Sequence, residues 1–166
     1  MTALLEACLN GSRTPAERLE RATRSRDGKP NQGEAGIIEL CELLIGRGIG
    51  IEAGLPSLAD ANLLIRSGIA DRCVRVLVES LDADPAAALA HTEAMETILL
   101  DAAVDLEQVH HGDGIATWRV MARAVGRGHG IRAGLEDSTV PPDGQLAADN
   151  GVLLRVAADV LRTGGR

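Results

Sequence analysis

The chain has 166 residues and a net charge of −7, and its 45% apolar residues are nearly all aliphatic because only 1% are aromatic. This length suits one domain, and the balance of apolar and charged residues excludes a disordered tail. The acidic charge argues against nucleic-acid binding, and no apolar run is long enough to cross a membrane.

Charge and cysteine distribution give two further expectations. Residues 1–30 carry six basic and four acidic side chains, whereas residues 31–166 carry 11 and 20. We interpret residues 1–166 as a single domain with an irregular basic junction at residues 18–30. Three cysteines (Cys8, Cys41 and Cys73) lie far apart in apolar runs, which favours buried reduced thiols and a cytoplasmic protein.

The apolar pattern predicts alternating strands and helices, and no strand is predicted in residues 12–36. In chain order the predicted elements are a strand at 4–9, a helix at 37–45, a strand from 49, a helix at 58–67, a strand at 73–79, a helix at 85–100, a strand at 106–110, a helix at 118–125, a strand from 130 and a helix at 150–161. Residues 46–55 (GRGIGIEAGL) and 126–135 (GRGHGIRAGL) share eight of ten letters, and each follows a predicted helix. Repeated βα units predict a parallel α/β sheet of the (β/α)8 TIM-barrel type, with about five of the eight units.

Polar residues follow these strands, at the end where the catalytic groups of parallel barrels cluster. They are Asn10, Arg13, Glu79, His110, His111, Asp113, Glu136 and Asp137. This arrangement favours an enzyme or a ligand site without specifying the chemistry. For Glu79 itself we favour a structural ion pair inside the barrel.

The segment RAGLED, from Arg132 to Asp137, is the sharpest local feature. Strand alternation would place Arg132, Gly134 and Glu136 on one face. There Glu136 could ligate a metal ion and Asp137 could accept a proton. The alternative is an ion pair at the strand end, followed by an Asx-type turn.

The segment HHGDG is the second feature. His110 and His111 point to opposite sides of a strand, so the two are not expected to bind one metal ion. The turn with Gly112 and Gly114 could present backbone N–H groups to a phosphate at the head of the next helix. The alternative is a βα turn with one hydrogen-bonded histidine.

The chain resembles the β-keto acid cleavage enzymes, whose founding activity is 3-keto-5-aminohexanoate cleavage. The stretches that carry this resemblance, in the family's order, are ACLNGSRTPAE (7–17), Asn31-x-x-Glu34-x-Gly36 with IIELCELL, GIGIEAGL, DRCVRVLVES, HHGDGIATW and GIRAGLEDSTVPPDGQLAADN. They look like the family's first strand, the end of its fourth strand, and strands five to eight with their loops. The last stretch is the most specific.

The resemblance implies a fold, a reaction and a set of site residues. Family members are (β/α)8 barrels that bind a divalent metal, usually zinc, and convert a β-keto acid and acetyl-CoA into acetoacetate and a new CoA thioester. It implies that Glu136 is the metal-binding carboxylate and that Asp137 and Arg132 form the acid–base pair. Weaker substrate or CoA contacts are implied for Asn10, Arg13, His111, Gly112 and Gly114.

The chain departs from the family pattern in two respects. The family's His-x-His metal pair is absent, and thirteen residues stand between Glu17 and Asn31 where the family has roughly a hundred. We interpret this as an internal deletion at the basic junction. Three hypotheses follow: a working enzyme, an inactive relative that self-associates as a homo-oligomer, and a CoA-binding module without turnover.

Overall fold

The computed structural model describes residues 27–28 and 35–164 of the chain, in which parallel strands alternate with helices. The elements of this part are β1 (Asp27–Gly28), α1 (Ile37–Ile45), β2 (Gly50–Leu55), α2 (Leu58–Ser67), β3 (Arg75–Ser80), α3 (Pro85–Asp101), β4 (Glu107–Gly112), α4 (Thr117–Gly126), β5 (Gly130–Ile131) and α5 (Asn150–Thr163). The strands follow one another across the sheet in the order β1-β2-β3-β4-β5, and every pair is parallel. This confirms the predicted α/β class, and the sheet is compatible with part of a (β/α)8 barrel.

The helix boundaries follow the local capping residues. Asp84 accepts hydrogen bonds from the backbone N–H groups of Ala86 and Ala87, and Pro85 occupies the first turn of α3. Ser57 caps α2 in the same way through Asp60. These signals are local in the sequence, so the predicted bounds of α2 and α3 agree with the structure to within one residue.

Two strand predictions differ from the structure. β1 lies within residues 12–36, where no strand is predicted, and it consists of the pairs Asp27–Gly50 and Gly28–Ile51. Two residues are too few to produce a recognisable apolar alternation. β5 ends at Ile131, so strand alternation does not govern Arg132 to Glu136. The predicted strand at 4–9, Asn10, Arg13 and most of the basic junction at 18–30 lie outside the described residues.

The core lies between the outer faces of the strands and the helices, and it is aliphatic. Its fully buried members include Ile51, Ala53 and Leu55 of β2, Val76 and Val78 of β3, Leu44 of α1, Leu64 of α2 and Leu99 of α3. A second cluster joins α4 to α5 through Trp118, Met121 and Leu153. The Trp118 indole N–H also donates to the carbonyl oxygen of Val140, at 2.8 Å. Branched aliphatic side chains therefore fill the space that aromatic residues often occupy.

The thiols that the structure describes are buried, as predicted. Cys41 and Cys73 lie in the aliphatic core. Burial raises the pKa of the Cys73 thiol to about 11, against the opposing charge of Arg72. A protonated buried thiol is chemically inert and acts as a small apolar side chain.

A polar cluster is buried in the helix layer behind β4. The carboxylate of Glu96, on α3, binds the guanidinium of Arg123, on α4, through both oxygens, with 2.7 Å between Nη2 and Oε2. His110 is fully buried beside this pair. Its ring stacks on that of His129 with centroids 4.8 Å apart. Burial, together with the positive field of His129, lowers the pKa of His110 to about 4 against the opposing attraction of Glu96, so the ring stays neutral at pH 7.

We expect His110 to make folding sensitive to acid. A histidine in the unfolded chain binds a proton near pH 6.5, whereas folded His110 binds one only near pH 4. The stability that this residue contributes is therefore present above pH 6.5 and is lost as the pH falls towards 4. Urea unfolding at pH 7 and at pH 4 should show a loss of about 3 kcal/mol from this residue.

The matched variants for this measurement are His110→Asn and His91→Asn. His91 is a half-exposed residue of α3 that pairs with Asp82 at the surface, so its variant loses only an exposed ion pair and should still decline between pH 6.5 and 4 as the parent does. An His110→Asn variant that declines as steeply as the parent would contradict the assignment.

Candidate active site at the carboxyl ends of the strands

The inner face of the sheet carries polar groups at both ends and apolar groups between them. In the register of the sheet, Glu52 lies beside Arg75, and Arg75 beside Glu107. Leu77 and Val109 follow one step towards the carboxyl ends of the strands. These side chains line a cavity of about 550 Å³, which continues to Arg132, Glu136 and Asp137.

A histidine and two acidic residues meet at the carboxyl end of this face. The parallel register places Glu79 of β3 directly beside His111 of β4. His111 Nε2 lies 3.2 Å from Glu79 Oε2, and its Nδ1 lies 3.2 Å from Asp137 Oδ1. All three residues are buried. The opposite orientation of His110 and His111 is as predicted, because His110 faces the helix layer.

Arg132 joins this group from the segment after β5. Its Nη2 lies 3.1 Å from Asp137 Oδ1 and 3.1 Å from Glu136 Oε2. The chain forms a turn here, because the carbonyl oxygen of Gly134 accepts the N–H groups of Asp137 and Ser138. This turn brings both carboxylates to the Arg132 guanidinium. The two carboxylates differ in environment: the side chain of Asp137 is 4% exposed and that of Glu136 is 63% exposed. The ion pair considered from the sequence is therefore present, on a turn and not on a strand.

The glycine-rich turn packs tightly against both the site and α4. Gly112 donates its N–H to Thr117 Oγ1 at 3.1 Å. Gly114, at a φ of 52°, donates its N–H to the carbonyl oxygen of Asp137 at 2.7 Å. Both amides are thus engaged within the protein. A phosphate-binding role for this turn remains a prediction, and it would have to use amides other than these two.

The metal ion implied by the resemblance does not fit the described surroundings of Glu136. Within residues 27–28 and 35–164, no group of three potential ligands includes Glu136. Its Oε2 is bound by the Arg132 guanidinium, and the side chain is mostly in solvent. One carboxylate beside a fixed positive charge is a poor metal site, because tight zinc sites need three protein ligands.

A different group could hold a metal ion in the part of the chain that the structure describes. Glu96, His110 and His129 bring ligand atoms within 4.8 Å of one another. This group lies in the helix layer, on the opposite side of β4 from His111. Glu96 is bound by Arg123, and the two rings are nearly parallel, with 8° between their planes. A metal ion lies in the plane of each ring that binds it, so one of the rings would have to rotate to share an ion with the other.

The structure brings together four residues that the sequence predicts for the site, namely Arg132, Glu136, Asp137 and His111. Glu79 forms an ion pair, as interpreted from the sequence, and its partner is His111. The sequence did not indicate that this pair would place Glu79 beside the candidate site. The sequence feature that could have indicated this contact is the position of Glu79 at the end of a predicted strand.

The family model of the beta-keto acid cleavage enzymes matches residues 57–166. The chain belongs to this family. A search of curated proteins found no match. The matched range contains β3 to β5 and the candidate-site residues Glu79, His111, Arg132, Glu136 and Asp137, while residues 7–17 and 31–55 lie outside it.

Family membership confirms the coarse interpretation. The chain is a β-keto acid cleavage enzyme-like protein, and the TIM barrel of the family agrees with the parallel sheet. Members are generally metal-dependent and act on small molecules. Among the described residues, no helix combines the length and the apolar character that a membrane crossing requires.

The close packing of Gly112 gives a test of the turn. A Cβ at this position would lie 3.0 Å from the backbone N and Cα of Thr117, so Gly112→Ala must displace the start of α4. We expect a loss of about 1–3 kcal/mol in the free energy of unfolding, measured by chemical denaturation.

The matched control is Gly126→Ala, at the end of the same helix. The nearest atom to its added Cβ is 3.8 Å away, so this variant should be as stable as the parent or slightly more stable. Equal stability of the two variants would show that the turn does not have the described packing.

Proposed function

We propose that this protein transfers a proton to and from a β-keto acid through the Arg132–Asp137 pair. The reaction implied by the resemblance combines the β-keto acid with acetyl-CoA and gives acetoacetate and a CoA thioester of the remaining acyl group. The observation that carries the proposal is a buried carboxylate held by a guanidinium at 3.1 Å, at the end of a cavity of about 550 Å³. A β-keto acid has an acidic C–H bond between its two carbonyl groups and carries a negative charge, and this pair suits both features.

Each member of the pair has a defined task in this proposal. Asp137 accepts the proton from the carbon between the two carbonyl groups. Arg132 keeps the carboxylate ionised and oriented, and it offers positive charge to the anionic substrate. Exclusion of bulk water from the side chain of Asp137, which is 4% exposed, strengthens both interactions.

The proposal includes zinc as the metal ion and acetyl-CoA as the second substrate, and both are implied by the resemblance. We assign no step to a metal ion, since the described neighbours of Glu136 do not form its site. Metal analysis of the purified protein, with Glu136→Gln for comparison, addresses this part directly.

The activity test compares two carboxylates in the same cavity. Acetoacetate is measured after incubation with acetyl-CoA, zinc and a panel of β-keto acids. Asp137→Asn should lower the rate by about 10²-fold or more, because the amide cannot accept the proton. Glu107→Gln removes a carboxylate at the opposite end of the cavity and should leave the rate within about twofold. No acetoacetate from the parent chain, or equal losses in the two variants, would overturn the proposal.

A second candidate is a relative without catalytic activity, which is favoured by the isolation of Glu136 from other metal ligands in the described residues. Such a protein could retain binding of a CoA-type ligand. Calorimetry with acetyl-CoA separates the two forms of this candidate: binding without acetoacetate formation supports a binding module, and no binding supports an inactive relative.

The inactive-relative candidate carries a prediction of self-association. Leu135 and Leu154 line the cavity and are 39% and 56% exposed, and a half-barrel would leave this inner face and its sheet edges for another chain to cover. We propose a homo-oligomer, for which sedimentation velocity should give a mass above 17.3 kDa. Leu154→Lys should shift the distribution towards monomer, whereas Leu100→Lys, on α3 and away from the cavity, should not. A parent chain that sediments as a monomer would contradict this proposal.

A further inference from the structure

The ring of His111 has an unusual set of neighbours, because all of them are acceptor oxygens. Nε2 faces Glu79 Oε2, and Nδ1 faces both Asp137 Oδ1 and the carbonyl oxygen of Gly112, each at 3.2 Å. The side chain is 6% exposed. A carbonyl oxygen can only accept a hydrogen bond, so Nδ1 is the donor in the contact with Gly112, and Asp137 Oδ1 lies on the same side of the ring.

We infer that His111 is a positioning residue, which Glu79 holds in place and which in turn holds the Asp137 carboxylate against Arg132. This inference rests on the proposed function, in which Asp137 moves the proton. It assigns His111 a role in the proton-transfer machinery in place of the CoA contact implied by the resemblance.

The location of Asp137 explains why it needs such support. Asp137 lies on a turn beyond the end of β5, where the sheet no longer holds the backbone. Arg132 Nη2 donates to its Oδ1 at 3.1 Å, and His111 Nδ1 lies 3.2 Å from the same oxygen. Its carbonyl oxygen accepts the Gly114 N–H at 2.7 Å. Arg132 and His111 belong to two different segments, so their contacts restrict the rotation of the side chain about its Cα–Cβ bond.

A second carboxylate, that of Glu79, fixes the orientation of the His111 ring. Glu79 approaches from β3, on the far side of the ring from Asp137, so it fixes the ring plane in the way that a carboxylate orients a histidine in other sites.

The first test is spectroscopic and does not depend on activity. Nitrogen-15 spectra of the histidine rings report the contacts of each ring nitrogen. Asp137→Asn should shift the Nδ1 signal of His111 and Glu79→Gln should shift its Nε2 signal, whereas Glu136→Gln, one residue from Asp137, should shift neither. His110, its neighbour on the same strand, provides an internal reference because it faces the helix layer and should keep its signals in all three variants. His111 signals that Asp137→Asn and Glu79→Gln leave in place would overturn the inference.

The second test separates positioning from a purely structural role. In the acetoacetate assay, His111→Gln should lower kcat by about 10²-fold, because a small displacement of the base is sufficient for such a loss, and it should leave KM within about twofold. His91→Gln, on an exposed helix surface, should change neither constant. A His111→Gln variant with an unchanged kcat, or with a loss entirely in KM, contradicts positioning. If the parent chain forms no acetoacetate, the proposed function fails while the spectra still decide whether His111 binds both carboxylates.

Discussion

The parallel register between β3 and β4 is the constraint on which the candidate site depends. It places Glu79 beside His111, with both side chains on the inner face of the sheet. A shift of one residue would turn His111 into the helix layer and His110 into the cavity. The aliphatic core fixes this register, because the same shift would move Val76 and Val78 out of the core. Packing on one face of the sheet therefore determines the chemistry on the other.

The two histidines of the HHGDG segment illustrate how strongly the side of a strand controls chemical character. His110 is enclosed by helices, stacks on His129 and has a pKa of about 4. His111 lies one residue further along, between Glu79 and Asp137. The chemical character of His110 is set by its burial, whereas that of His111 is set by its contacts with two carboxylates. Of these two adjacent histidines, the first therefore belongs to the packed helix layer and the second to the candidate site.

The metal question shows the limit of transferring a family's residues to this chain. The resemblance implies that Glu136 binds zinc, yet among the described residues its clear partner is Arg132. The two residues that the resemblance implies as an acid–base pair are in contact, with Asp137 buried against the same guanidinium. The described part of the chain thus brings a carboxylate and an arginine to the cavity, and it groups no other metal ligands around Glu136.

The sequence by itself determined the alternation of strands and helices, the helix bounds at Asp84 and Ser57, and the stretch that contains Arg132 and Asp137. These features depend on capping residues and apolar periodicity, which are local. Only the tertiary structure decided that Glu79 belongs to the site and that the segment after Ile131 is a turn that presents two carboxylates to one arginine. Glu79 and His111 lie 32 positions apart in the chain, and the turn is held by distant residues, since Asn150 accepts the Leu135 N–H and Asp137 accepts the Gly114 N–H. No local pattern encodes the register or these contacts.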